Sequence, residues 1–101
     1  MAQLDGKVII VTGGTQGVGE AIARHSAECG AAGVVICGRQ QQKGEAIAGE
    51  IEAGGCPALF VQADLADVEE CKGIVAACDD RFGRVDGLVN AAADTNSGGL
   101  E

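Results

Sequence analysis

Tyrosine and tryptophan are absent from this 101-residue chain, and Phe60 and Phe82 are its only aromatic side chains. A tyrosyl general acid is therefore excluded from the chain itself. Basic residues are scarce: Lys plus Arg number 7 against 15 Asp plus Glu, for a formal charge of −8. That balance repels nucleic-acid phosphate and anionic lipid, so neither nucleic acid nor membrane is expected as a partner. An anionic cofactor stays possible, because a glycine loop holds phosphate through backbone N–H groups. His25 is the single histidine, and Cys29, Cys37, Cys56, Cys71 and Cys78 contain no C-x-x-C pair. No zinc site or disulfide scaffold is expected, and a reducing cytoplasmic setting is implied. The start, MAQLDGK, lacks the basic-then-apolar layout of a signal peptide, and no apolar run approaches the length of a membrane span.

What the chain does have is glycine, 17 residues of it, and apolar content of 47% against 22% charged, which fits one globular domain or part of one. A chain of this size would bury only about 60–65% of its unfolded surface. Its organising stretch is VIIVTGGTQGVG, Val8 to Gly19. An apolar run ends in glycines, and a helical pattern starts at Glu20. A buried strand turning through glycines into a helix is the description of a phosphate-cradling loop. The spacing of Gly13, Gly17 and Gly19 is G-x-x-x-G-x-G rather than the common G-x-G-x-x-G. A tight strand-to-helix turn with no ligand is the alternative reading.

Along the chain, Asp5-Gly6 marks a turn before strand one, roughly Lys7 to Val11, whose apolar run suits a strand buried on both faces. Helix one runs from Gln16 or Gly17 to Cys29, with Val18, Ala21, Ile22 and Cys29 as its sheet-facing side and Gly30 as C-cap. Strand two is Gly33 to Cys37. Helix two, about Gln41 to Ala53, offers Ala46, Ile47 and Ile51. Its internal Gly44 and Gly49 each cost about 1 kcal/mol relative to alanine, so they either permit close packing or leave the helix marginal. Pro57 opens strand three, Ala58 to Gln62. In helix three Asp67 is an N-cap with Glu70 at capping-box spacing. The stripe Val68, Cys71, Val75, Cys78 and Phe82 follows, Cys71 and Cys78 read as core, and Gly83 closes the helix. Strand four covers Gly87 to about Ala91. The order β-α-β-α-β-α-β predicts a doubly wound parallel sheet of Rossmann type, incomplete at four strands and three helices. The glycine loop would then lie at the point where strand order reverses.

Several residues are placed to hold a nucleotide. After strand two, where an acidic side chain would read an NAD ribose, the chain has Gly38 and then Arg39. A guanidinium there suits a 2′-phosphate and adenine stacking, which points to NADP with NAD possible; a solvated surface arginine is the alternative. Asp64 follows strand three and could accept from an adenine amino group beside Leu65, or could merely stabilise its loop. Asn90 ends strand four and reads more as a scaffold bonding to the first loop than as direct chemistry. Ala91, Ala92 and Ala93 are small enough for a nicotinamide ribose to lie against them.

Taken as an ordered set, TGGTQGVG, the Gly38-Arg39 pair, Asp64-Leu65 and the segment DGLVNAAA (Asp86 to Ala93) resemble the N-terminal, cofactor-binding half of a short-chain dehydrogenase/reductase. The resemblance covers nearly the whole chain. It implies a nicotinamide dinucleotide held by Gly13, Gly17 and Gly19 at the pyrophosphate, with Thr15, Gln16 and Val18 in the same loop. Thr12 would steady that loop against strand four, Asp64 would contact adenine, and Arg39 would meet a 2′-phosphate. It also implies hydride transfer to or from a small carbonyl or alcohol substrate, and a homodimer or homotetramer at full length. One departure is Asn90-Ala91-Ala92-Ala93 where relatives carry NNAG; Ala93 adds a methyl near the ribose path.

The tyrosine and lysine that perform the family's proton transfer would follow Glu101, so no catalytic residue is assigned here. Lys7, Lys43 and Lys72 sit outside the expected crevice, and Ser26 and Ser97 lack a neighbouring base. Residues 1–101 thus read as the dinucleotide-binding half of one Rossmann-type domain without its catalytic half. A fourth strand with an apolar edge would favour self-association or a partly molten state. A non-catalytic nucleotide-binding module or an inactive fragment is the alternative. A methyltransferase using S-adenosylmethionine would want an acidic ribose reader, which Gly38-Arg39 does not supply.

Overall fold

The computed structural model of the chain describes residues 4–13, 17–64 and 66–91. Its elements are β1 (Val8–Thr12), α1 (Gly17–Glu28), β2 (Gly33–Gly38), α2 (Gln41–Ala53), β3 (Ala58–Gln62), α3 (Val68–Phe82) and β4 (Gly87–Asn90). The strands form one sheet in the order β3-β2-β1-β4, and every pairing is parallel. Ile9, Val11, Val34, Ile36 and Ala58 pack with Ala23 of α1 and with Ile47, Ala48 and Ile51 of α2. Val8, Ile10, Val35 and Cys37 on the other face pack with Ile74 and Cys78 of α3. This is the expected doubly wound arrangement, here with four strands and three helices.

Covering both faces is what permits the uninterrupted apolar runs of β1 and β2. Ile10, Val11, Val34, Val35 and Ile36 are each at most 1% exposed. Burial contributes about 1.5–3 kcal/mol for each such side chain. The outer strands are less covered, and Leu88 of β4 is 64% exposed. Among the described residues no helix is long and apolar enough to cross a membrane.

Element bounds match the sequence reading within a residue or two, but three helical faces are shifted. In α1 the buried residues are Gly19, Ala23 and Ser26, not Val18 or Ala21; Val18 is 69% exposed, and Ile22 is only partly buried. Three small residues at intervals of four and three let the helix lie close on β1 and β2, which turns the bulkier valine outward. In α3 the continuous stripe fails at Val68 and Val75, which are 67% and 50% exposed. The buried line runs through Ile74 and Cys78, with Cys71 half-buried. Two stripes at helical spacing share Cys71, Cys78 and Phe82, and α3 packs over β2 and β3 and against Val8 and Ile10 of β1, which selects the stripe containing Ile74. In α2 Ala46 is exposed, and Gly44, Ile47, Ala48 and Ile51 make the contact face.

Gly44 is present because of close packing. A Cβ built there would run into the Phe60 ring, whereas one built at Gly49 would meet nothing within 4 Å. Close packing thus accounts for Gly44, whereas nothing around Gly49 requires a glycine.

Candidate functional site

Parallel register aligns the C-terminal ends of the strands into rows. Asn90, Thr12, Cys37 and Val61 form one row across the sheet. Just beyond it the chain leaves β1 at Gly13 and β2 at Arg39, and leaves β3 at Ala63 and Asp64. Between β1 and β4 the strand order reverses, and α1 begins above β1 at that point. Such a reversal opens a crevice at the carboxyl ends of the strands.

Thr12 ties the crevice walls together. Its Oγ1 donates to Asn90 Oδ1 at 2.9 Å and lies 3.3 Å from Val89 O, while Ala91 N donates to Thr12 O at 3.0 Å. The scaffold contact expected between Asn90 and the first loop is thus made to the residue that enters that loop. Gly13 follows in a left-handed conformation at φ 75°, buried, with its N–H donating to Cys37 O at 2.9 Å. A side chain at that position would be strained. Gly17 opens α1, and a Cβ built there would meet nothing within 4 Å. Gly19, two residues further on, is buried, and Val18 faces solvent. The first turn of α1 has backbone N–H groups without an intrahelical partner, at the positive end of the helix dipole. Thr15, Gln16, Leu65 and Ala92 lie outside the described residues.

Arg39 stands directly after β2 and is exposed. Arg24, Arg81 and Arg84 each pair with carboxylates, but among the described residues no acidic group pairs with the Arg39 guanidinium. Its backbone is held instead: Gln62 Nε2 donates to Arg39 O at 3.2 Å. The next turn, at the start of α2, has no acidic residue, and Gln40 provides no side-chain cap. A surface depression there is lined by Gln40, Gln41, Gln42 and Lys43.

The loop after β3 is closed on itself. Asp64 Oδ1 accepts from Ala66 N at 3.0 Å, Asp67 N donates to Asp64 O at 2.9 Å, and Ala63 N donates to Gly38 O at 2.9 Å. Asp67 caps α3 by accepting from Glu69 N and Glu70 N. The reciprocal half of the expected capping box is not made. Glu70 instead accepts from the Asp64 backbone N–H. Gln62 and Glu70 are thus site-supporting residues that spacing alone assigned only to a strand end and a helix cap. A long polar side chain one turn from a loop was the only available signal.

Beneath the site, Cys37 is fully buried with its Sγ 3.5 Å from Val11 O, and burial pushes its thiol up to about 12, aided by the nearby Cys71. A thiol so protonated is no nucleophile at neutral pH. No cluster of three or more His, Cys, Asp or Glu able to hold a metal occurs among the described residues.

A parallel reversed-order sheet with a glycine turn into α1 defines a dinucleotide-fold protein. The chain belongs to the short chain dehydrogenase family, whose pattern it matches over residues 7–101. It is 42% identical over 90 residues to an uncharacterized oxidoreductase of Methylorubrum extorquens, spanning 89% of this chain and 36% of that protein. Its structure is similar to actinorhodin polyketide ketoreductase (F189W) solved with NADPH, at a TM-score of 0.82 and 36% identity, covering 93% of this chain and 36% of that one. A short chain dehydrogenase/reductase from Burkholderia phymatum solved with NAD aligns at a TM-score of 0.81 and 26% identity, covering 87% and 31%. The chain spans about a third of the length of the curated relatives that it matches.

Proposed function

We propose that this chain is the dinucleotide-binding half of an NADP(H)-preferring oxidoreductase, acting on a small carbonyl or alcohol substrate. The observation that carries the cofactor preference is Arg39, a guanidinium with no carboxylate partner among the described residues, at the end of β2 and preceded by Gly38 where an acidic ribose reader would stand. Relatives solved with NADPH and with NAD support a nicotinamide dinucleotide and leave the choice between them to such local groups. The residues present fit that cofactor. Gly13 and Gly17 leave backbone open to a diphosphate, α1 supplies N–H donors, Thr12 and Asn90 hold the crevice walls, and Asp64 offers a carboxylate at the adenine end.

When bound, the nicotinamide supplies hydride exchange with the substrate carbon. This chain's own residues bind and orient; no tyrosine is present in it to supply the proton. The family's Tyr-x-x-x-Lys pair, and the surfaces of a dimer or tetramer, belong to residues outside this chain in the proposed full protein. A non-catalytic nucleotide-binding module is the second reading, favoured by the same absence of tyrosine. Following nicotinamide fluorescence while titrating with NADPH and NADH tests the cofactor assignment: NADPH should bind at least tenfold tighter, and equal or tighter NADH binding overturns it. A Tyr-x-x-x-Lys segment encoded downstream of Glu101 separates the enzyme from the module.

A further inference from the structure

We infer that Glu70 is the positioning residue that sets the adenine selectivity of the site, acting through Asp64. The inference rests on the dinucleotide reading above. Asp64 closes the adenine end of the proposed cleft, and its carboxylate is held by its own loop: Oδ1 accepts from Ala66 N at 3.0 Å. What fixes the backbone carrying that carboxylate is Glu70, whose Oε1 accepts the Asp64 N–H from the first turn of α3.

A helix-capping role alone does not explain this contact. Capping boxes return the third helical carboxylate to the N–H of the capping residue itself. Here the Asp67 N–H is already taken by Asp64 O at 2.9 Å, and Glu70 reaches past it to residue 64. The Glu70 N–H is in turn held by Asp67 Oδ1 at 3.3 Å, so carboxylate and backbone are locked from both sides. Asp64, Asp67 and Glu70 place three carboxylates within one loop of a chain of charge −8, an arrangement that repels itself unless each is hydrogen-bonded. The N-terminal dipole of α3 offsets part of that repulsion. The outcome is a carboxylate held to accept from an exocyclic amino group and to reject a carbonyl oxygen in its place. The ligand class so selected is a 6-aminopurine dinucleotide.

The test compares NADPH with the reduced hypoxanthine analogue, in which the purine 6-amino donor becomes a carbonyl acceptor, using nicotinamide fluorescence on the chain and on Glu70→Ala and Glu70→Gln. The unaltered chain should favour the adenine form by roughly ten- to a hundredfold, the range for one hydrogen bond to a charged group. Glu70→Ala should bring the ratio within about twofold while both forms still bind through the diphosphate and Arg39. Glu70→Gln, whose amide oxygen can accept the same N–H, should keep most of the selectivity. A ratio unchanged in Glu70→Ala, or an equal weakening of both forms, overturns the inference and leaves the dinucleotide reading standing. So does an unaltered chain that binds NADPH without discriminating. No NADPH binding by the unaltered chain overturns both. Should Glu70→Ala not fold, hydrogen exchange at the Asp64 amide decides: protection in the unaltered chain and in Glu70→Gln supports the inference, and free exchange in the unaltered chain overturns it.

Discussion

The two ends of the parallel sheet are built differently. At the N-terminal ends of the strands, polar groups of the chain satisfy one another. Asp86 Oδ2 accepts Val8 N at 2.8 Å, Arg84 grips both Asp86 oxygens at 2.8 Å, Glu52 accepts Ala58 N at 3.3 Å, and Leu4 N donates to Cys29 O at 2.9 Å. At the C-terminal ends the backbone is held just as firmly, by Thr12, Gln62 and Glu70. The outward groups, however, are left for something else: Arg39 has no acidic partner among the described residues, and Gly13 and Gly17 keep side chains out of the way. One end is closed by charge pairing, the other is held open by backbone. Substitutions should therefore change stability at one end and ligand preference at the other.

The largest effect is expected at the open end. Arg39→Ala should lower the preference for NADPH over NADH by about ten- to a hundredfold, the range for a charge-assisted bond to phosphate, with the melting temperature unchanged. Loss of stability with the preference intact would break the comparison. Between the two ends, Gly44→Ala should cost about 1–3 kcal/mol by forcing Phe60 aside, lowering the melting point by several degrees. Gly49→Ala in the same helix has open space and should stabilise by about 0.5–1 kcal/mol. Neither should alter the cofactor ratio.

The fold was legible because local signals agreed. Apolar runs at Val8–Val11 and Val34–Ile36 can serve only strands covered on both faces, and Asp67 and Gly83 marked the limits of α3. Which helical face turns inward was less legible. Val18 and Ile74 are both apolar, and only the position of each helix over particular strands decides between them. At the site, Thr12 and Asn90 could be paired in advance because a parallel sheet places both at neighbouring strand ends. Glu70 could not, since its partner is a backbone N–H six residues away and backbone donors leave no mark in sequence.

A smaller effect is expected at the closed end. The Arg84 guanidinium, with help from Val8 N–H, holds the Asp86 carboxyl below the ordinary carboxylate range. A carboxyl with a lowered native pKa contributes stability that is present above its unfolded value, near pH 4, and is lost as pH falls through the native value. Asp86→Asn should thus melt at lower temperature at neutral pH and lose less further stability on acidification. Its NADPH-to-NADH ratio should equal that of the unaltered chain, and a changed ratio would mean that the two ends are coupled through β1.

The smallest effect concerns the thiols, and it sharpens the comparison without altering a residue. Cys29 and Cys71 are half-buried, whereas Cys37, Cys56 and Cys78 are buried and burial raises each of their pKa values. At pH 8 a disulfide reagent such as Ellman's should titrate two thiols within minutes and the other three only on unfolding. For Cys37 the raised native pKa also sets an alkaline limit. Its contribution is intact below the unfolded value of 9.0 and is lost as pH rises toward about 12, because the unfolded thiol ionises first. Cys37 O receives the Gly13 N–H, so rapid labelling of Cys37 in the native chain would require β1 and β2 to part beneath the glycine turn. In that case the open end would be open by local unfolding rather than by design of its backbone, and a dinucleotide should slow the labelling in proportion to its occupancy.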